Sequence, residues 1–161
     1  MNKIVSEDSL RRALARMGAE ESPKWLRPQL LASVGAALET PWILDIDTTV
    51  KTLFGKQSGA QIGYNPHKPG RPSHALHTYW VSGLRLVLDV VVSAGNQHNW
   101  RHAQPGLTAV LDSLSRERQP SLVRGDCGLG NEPFIVALEG RGQAYLFKLR
   151  QTAGVKRLLA R

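Results

Sequence analysis

Asp45 and Asp47 stand two residues apart in WILDIDTTV, residues 42 to 50, a run that follows Pro41 and whose Ile, Leu, Val and Thr content predicts a β-strand. Side chains alternate across a strand, so Leu44, Ile46 and Thr48 point one way and Asp45, Asp47 and Thr49 the other. One face is apolar and the other anionic. A third acid, Asp126, ends the short run SLVRGD, residues 121 to 126. Hard divalent cations such as Mg²⁺ are held by one or two carboxylates with water and substrate phosphate, and two-ion sites need acids delivered by separate elements. Two neighbouring strands can deliver them. The plainer alternative is that one aspartate pairs with an arginine such as Arg124 and the others are solvated acids at strand ends.

Between the first strand and the next lies KTLFGKQSGAQIGYNPHKPGRPS, residues 51 to 73, rich in Gly and Pro and carrying Lys51, Lys56, Lys68 and Arg71 beside Tyr64 and His67. Excursions of this length in a compact domain are functional or disordered. Its cations suit a phosphate backbone, which they would position without reading its sequence. His74 with His77, and His98 with His102, have spacings seen in zinc sites, but one cysteine and no evident third ligand argue against zinc. The glycines of GDCGLG are spaced GxxGxG instead of GxGxxG, and FGKQSG is not a phosphate loop, so neither implies nucleotide binding. Cys127, beside the carboxylate of Asp126, is expected to be a small packed residue and not a nucleophile. Trp100, in the polar run NQHNWRH, is out of character with its neighbours.

The elements that must position these residues follow from periodicity. Residues 1 to 40 read as a helical segment: Ser6 caps a helix that ends near Gly18, and a second begins at Ser22 and Pro23, is restarted or bent at Pro28, and stops at Thr40 and Pro41. Three strands follow, over 42–50, 75–82 and 84–93, the last two joined through Ser82 and Gly83 as a hairpin. A helix over 102–118, a strand over 121–126, a helix capped by Asn131 and ending at Gly140 or Gly142, a strand over 144–150 and the start of another helix complete the order. Three antiparallel strands followed by alternating helix and strand predict an α/β fold with a mixed sheet.

At 161 residues and 42% hydrophobic, the chain is large enough for one domain with a real core. No run approaches a membrane span, and the N-terminus lacks the apolar block of a secretory signal, so a cytoplasmic protein without membrane association is expected. The single cysteine excludes an internal disulfide and agrees with a reducing compartment. A formal charge of +8 favours a polyanionic partner, with nucleic acid first.

WILDIDTTVKTLFGKQSGAQIGYNPHKPGRPSH, SLVRGDCGLGNE and YLFKLRQTAGVKRLLAR together resemble the catalytic region of bacterial insertion-sequence transposases of the DDE class, and VSEDSLRRAL resembles the segment upstream of it. The resemblance implies an RNase H-like catalytic domain over 41–161, preceded by the helical segment 1–40, with the first and fourth strands side by side. It implies catalytic, metal-binding roles for Asp47 and Asp126, with Asp45 as a further candidate ligand. The ions would be Mg²⁺ or Mn²⁺, the partner DNA gripped by Lys51, Lys56, Lys68 and Arg71, and the reaction strand cleavage and transfer. In such enzymes the third acid is a glutamate on a helix beyond the fifth strand, which these 161 residues do not reach. Glu132 and Glu139 lie on an earlier helix and are expected to be surface acids. The resemblance thus implies a truncated, incomplete domain that is feeble or inactive in DNA cleavage. Its alternative is a non-catalytic DNA-binding remnant that associates with full-length transposase, or with copies of itself.

Overall fold

A computed structural model of the protein describes residues 5–18, 20–39, 41–97 and 99–160. Helix α1, Glu7–Arg16, starts as expected at Ser6, whose hydroxyl accepts the Ser9 N–H, and Glu7 and Asp8 sit at the positive end of its dipole. Helix α2, Glu21–Val34, begins slightly earlier than Ser22 and runs through Pro28 without ending. Its C-terminal Val34, with Leu38 beyond a short 3₁₀ turn, is buried in the core. Thr40, expected to help stop this segment, lies outside the described residues, as does His98 of the second histidine pair.

Strand β1, Ile43–Thr52, is central. It pairs antiparallel with β3, Pro72–Val81, from Asp45 opposite Trp80 to Thr52 opposite Ser73. On the far side of β3 lies β4, Leu86–Ala94, with a register shift at Tyr79 and Trp80, and the two-residue β2, Gln61–Ile62, extends the same edge. The β3–β4 turn does not close through Ser82 and Gly83 alone, as the sequence suggests. It takes four residues, Ser82 to Arg85, and Arg85 adopts a left-handed φ of 55°. A left-handed residue re-aims the chain where the pair Ser-Gly alone does not.

On the other side of β1, strand β5, Leu122–Gly125, runs parallel to it, and β6, Tyr145–Phe147, runs parallel to β5. Parallel neighbours need crossovers. Helix α3, Asn99–Asp112, and helix α4, Glu132–Glu139, supply them. Helix α3 starts before and stops short of the expected 102–118, where the Gln119 side chain donates to the carbonyls of Leu111 and Leu114. Helix α4 is capped by Asn131 as expected, and helix α5, Ala153–Leu159, is capped by Thr152.

The core lies between the sheet and α3 and α4: Leu44 and Ile46 of β1, Tyr79 and Val81 of β3, Leu107, Val110 and Leu111 of α3, and Phe134 and Leu138 of α4 are all buried. Gly106 lets α3 approach β3 closely, since a Cβ there would run into the Tyr79 ring, and the Tyr79 hydroxyl donates to the Ala103 carbonyl at 2.5 Å. Helix α2 is tied to the sheet by Arg27, which donates to Asp89 of β4 at 2.7 Å.

Candidate active site

The alternation expected for β1 holds: Leu44 and Ile46 are fully inside, whereas Asp47 and Thr49 are exposed. Asp45, on the same face as Asp47, has a different fate. It is nearly buried, and Arg124, directly opposite on β5, donates from Nε to Oδ1 at 2.6 Å and from Nη2 to Oδ2 at 2.9 Å. Burial alone would raise the Asp45 pKa, but the hydrogen bonds from Arg124 and Ser82 and the guanidinium charge outweigh it and leave the carboxyl below its ordinary value. The same contact raises Arg124. A carboxylate held bidentately by an arginine is a poor metal ligand, so of the two β1 acids only Asp47 is free of this pairing.

The β1–β5 register places Ile46 beside Gly125, so the next residue on each strand is Asp47 and Asp126. Adjacent strands lie about 4.8 Å apart, which makes these two acids neighbours at the C-terminal edge of the parallel pair. Both are exposed. Asp126 has left the strand and its Oδ1 accepts the Gly128 N–H at 2.9 Å. It borders a groove whose sheet lining, Val50 and Ala75, belongs to the face opposite Asp47. The register thus brings the two backbone positions together, while the Asp126 carboxyl is turned onto its own loop at the Gly128 N–H.

The cationic excursion is ordered by contacts within itself and to its flanking strands. Buried Asn65 donates to the Thr52 hydroxyl at 2.9 Å and accepts the Lys68 N–H at 3.0 Å. His74 Nε2 lies 3.1 Å from the Ser58 carbonyl, and β2 pairs with the start of β3. Lys51, Lys56, Lys68 and Arg71 are all exposed, Lys51 on the face that carries Asp47, and the Arg71 guanidinium sits 5.5 Å from the Phe54 ring centroid.

Among the described residues no group of three or more His, Cys, Asp or Glu is placed to hold a metal ion. His77 is buried between the Thr48 and Ser93 hydroxyls, each 3.0 Å from one ring nitrogen, and stacks on His102 with centroids 6.3 Å apart. Burial, and then the charge of His102, pull its pKa down to about 4, so it is a neutral core residue. Glu132 and Glu139 lie on α4 and are exposed, and Glu139 accepts the Tyr145 hydroxyl. Cys127 is exposed, contrary to the packed position expected for it, because the turn after β5 carries it out of the core. Sequence patterns give no hint of Arg150, which borders the Asp126 groove with Tyr64 and Trp100, the odd aromatic in NQHNWRH.

A sheet ordered β4-β3-β1-β5-β6, with acids at the ends of its central parallel pair, invites comparison with known proteins. The family model described as transposase DDE domain group 1 matches residues 1–161. The chain belongs to this DDE transposase family. A comparison with curated proteins matched none. Among solved structures, a piggyBac transposase synaptic complex with hairpin DNA aligns over 97% of this chain and 33% of that one, with TM-score 0.52 and 16% identity. The catalytic domain of Mos1 mariner transposase aligns over 99% and 72%, with TM-score 0.45 and 16% identity. A simian T-cell lymphotropic virus intasome in complex with a PP2A regulatory subunit aligns over 76% and 37%, with TM-score 0.47 and 13% identity. The chain spans well under half of the length of the intasome and piggyBac chains it matches. The DDE domain here has the RNase H-like fold, a mixed sheet with helices between its parallel strands.

Proposed function

We propose that this DDE domain takes part in DNA transposition by metal-dependent strand cleavage and transfer, with Asp47 and Asp126 as its metal-binding catalytic acids. One observation carries the reading: the parallel β1–β5 register brings two exposed aspartates from distant parts of the chain to neighbouring positions, while Asp45 is taken up by Arg124. Two carboxylates suit one Mg²⁺ or Mn²⁺ completed by water and phosphate oxygens. Such an ion would polarise the scissile phosphate and favour the deprotonated form of an attacking water or 3′ hydroxyl. Asp126 would have to turn its carboxyl from the Gly128 N–H toward Asp47. Lys51, Lys56, Lys68 and Arg71 would hold the DNA backbone, fixing its position without reading bases. Asp45 stays outside the ligand set and fixes β5 against β1.

The test is Mn²⁺ binding and Mn²⁺-dependent nicking of DNA by the purified chain. Asp47→Asn and Asp126→Asn should each remove both signals. Wild-type binding and nicking in Asp47→Asn would take that residue out of the site. A second reading is DNA binding without cleavage, in association with a complete transposase or another copy of this chain. The scarcity of clustered ligands among the described residues favours it, because two ions need more donors than two aspartates provide. Salt-dependent DNA binding with no metal-dependent nicking would select it.

A further inference from the structure

Strand β4 forms an open edge of the sheet: it pairs with β3 and, among the described residues, with no other strand. The ladder tells which of its main-chain groups are left over. The Gly95 N–H donates to the Ser73 carbonyl at 2.9 Å, and the register continues from His74 opposite Ala94 to His77 opposite Val91. Hydrogen-bonding direction alternates along an antiparallel strand, so Gly95, Ser93 and Val91 turn their N–H and C=O groups to β3, whereas Val90, Val92 and Ala94 turn theirs outward. Of these outward groups only the Ala94 carbonyl has a partner among the described residues, the Gln97 N–H at 3.1 Å.

Natural edge strands are guarded by charged side chains, proline or a bulge, because an open ladder templates another strand. Residues 90–94 have none of these. The run is Val-Val-Val-Ser-Ala, the preceding acid Asp89 is buried against Arg27, and the register shift of β4 lies farther back, opposite Tyr79 and Trp80. Val92, in the middle, is 56% exposed. The edge also borders a groove of about 710 Å³, shared with Pro23 and Leu26 of α2 and with Gly59 and His74, and no Lys, Arg, Asp or Glu lines it. A strand laid in this groove must be extended and uncharged. Residues 90–94 themselves meet both requirements.

We propose that β4 is the pairing surface for a second copy of this chain, the two strands running antiparallel about a two-fold axis at Val92. In that register the partner's Val92 stands opposite Val92 and the partner's Ala94 opposite Val90. Every outward N–H and C=O then finds its complement, and the facing side chains are apolar with no like charges set together. Strand β4 runs parallel to β1, since both are antiparallel to β3. The two-fold therefore turns the strand ends that carry Asp47 and Asp126 to opposite ends of one continuous sheet, clear of the interface. The assignment goes beyond the reading of those acids and does not rest on it; it gives association between copies a surface.

Light scattering on the purified chain should give roughly twice 17.7 kDa, with monomer appearing on dilution. Val92→Lys changes an exposed side chain, so its far-UV circular dichroism should match the parent. It sets two ammonium groups face to face and should raise the dimer dissociation constant by roughly 10- to 100-fold. Val92→Thr, β-branched and uncharged, should keep the dimer. Amide exchange supplies a readout specific to the register: the N–H groups at positions 90, 92 and 94 should exchange slowly in the dimer and fast in the Val92→Lys monomer, while Val91 and Ser93 stay protected in both. A chain that is monomeric at every concentration, whether or not an unrelated extended peptide binds the edge, overturns the proposal, as does a dimer that Val92→Lys leaves intact. Mn²⁺ binding by the Val92→Lys monomer tests Asp47 and Asp126 without the interface, so the two readings fail separately.

Discussion

The sheet uses aspartate in two opposite ways. Asp45 and Asp89 are buried and each meets an arginine from a different element, Arg124 on β5 and Arg27 on α2. Asp47 and Asp126 are exposed just beyond the last paired residues of β1 and β5, and no salt bridge among the described residues engages either. Asp45 and Asp47 differ by one step of the strand period on one face. What separates them is the cross-strand neighbour: Arg124 faces Asp45, whereas Gly125 and then the turn leave Asp47 open. A buried charge requires a partner, so the first kind of acid holds elements together, and the second keeps its lone pairs for a cation.

The comparison breaks most visibly at Asp89. Its side chain is 1% exposed, so Arg27→Met leaves an uncompensated charge in the core and should cost about 3–5 kcal/mol in urea unfolding. Restoring neutrality with Asp89→Leu in the same protein should recover much of the loss. If Arg27→Met alone leaves stability unchanged, the ion pair does not hold α2 on the sheet.

A core titration comes next. His77 has a folded pKa of about 4 against 6.5 unfolded, so between those values the unfolded chain binds a proton the folded chain refuses. Stability should be full above pH 6.5 and fall by about 2–3 kcal/mol by pH 4.5. Asp45 has a lowered pKa, so its contribution is present above its unfolded value near 3.9 and lost only below it, outside this window. Denaturant midpoints at pH 7.5 and 4.5, with His77→Asn as the control lacking the drop, separate the two. Asp45→Asn should cost about 1–2 kcal/mol at neutral pH, less than the Asp89 case because the Arg124 side chain is 44% exposed and its charge can return to water.

Local chemistry makes the helix starts and the sorting of the first strand legible in the sequence itself. Ser6 and Asn131 announce helix starts through side-chain oxygens that accept backbone N–H groups, and the alternation in 42–50 sorts Leu44 and Ile46 from Asp47 because strand periodicity is a property of the chain itself. Pairings between distant segments lie beyond that reach. An arginine opposite Asp45 is one of several options in the sequence, and only the β1–β5 register selects Arg124. Arg85 at positive φ, Cys127 turned outward and the two-residue β2 depend on how neighbouring strands approach, which no local pattern encodes. The groove joins Tyr64, Trp100 and Arg150 from three separate stretches, and although Trp100 stands out among its polar neighbours, no local pattern brings the three together.

The smallest effect on folding should accompany the largest on function. Asp47→Asn removes a charge from an exposed position with no arginine to strand, so its melting temperature should stay within about 2 °C of the parent. Losing one acid of same-sign pairing with Asp126 can even raise it slightly. Mn²⁺ binding should nevertheless vanish, since a hard cation held by two carboxylates loses half of its anionic ligands. Asp45→Asn should show the reverse pattern, lower stability with Mn²⁺ binding retained. If instead Asp45→Asn abolishes Mn²⁺ binding at a temperature where the protein remains folded, then Arg124 releases Asp45 when a cation arrives, and the division between structural and metal-binding acids falls at this strand.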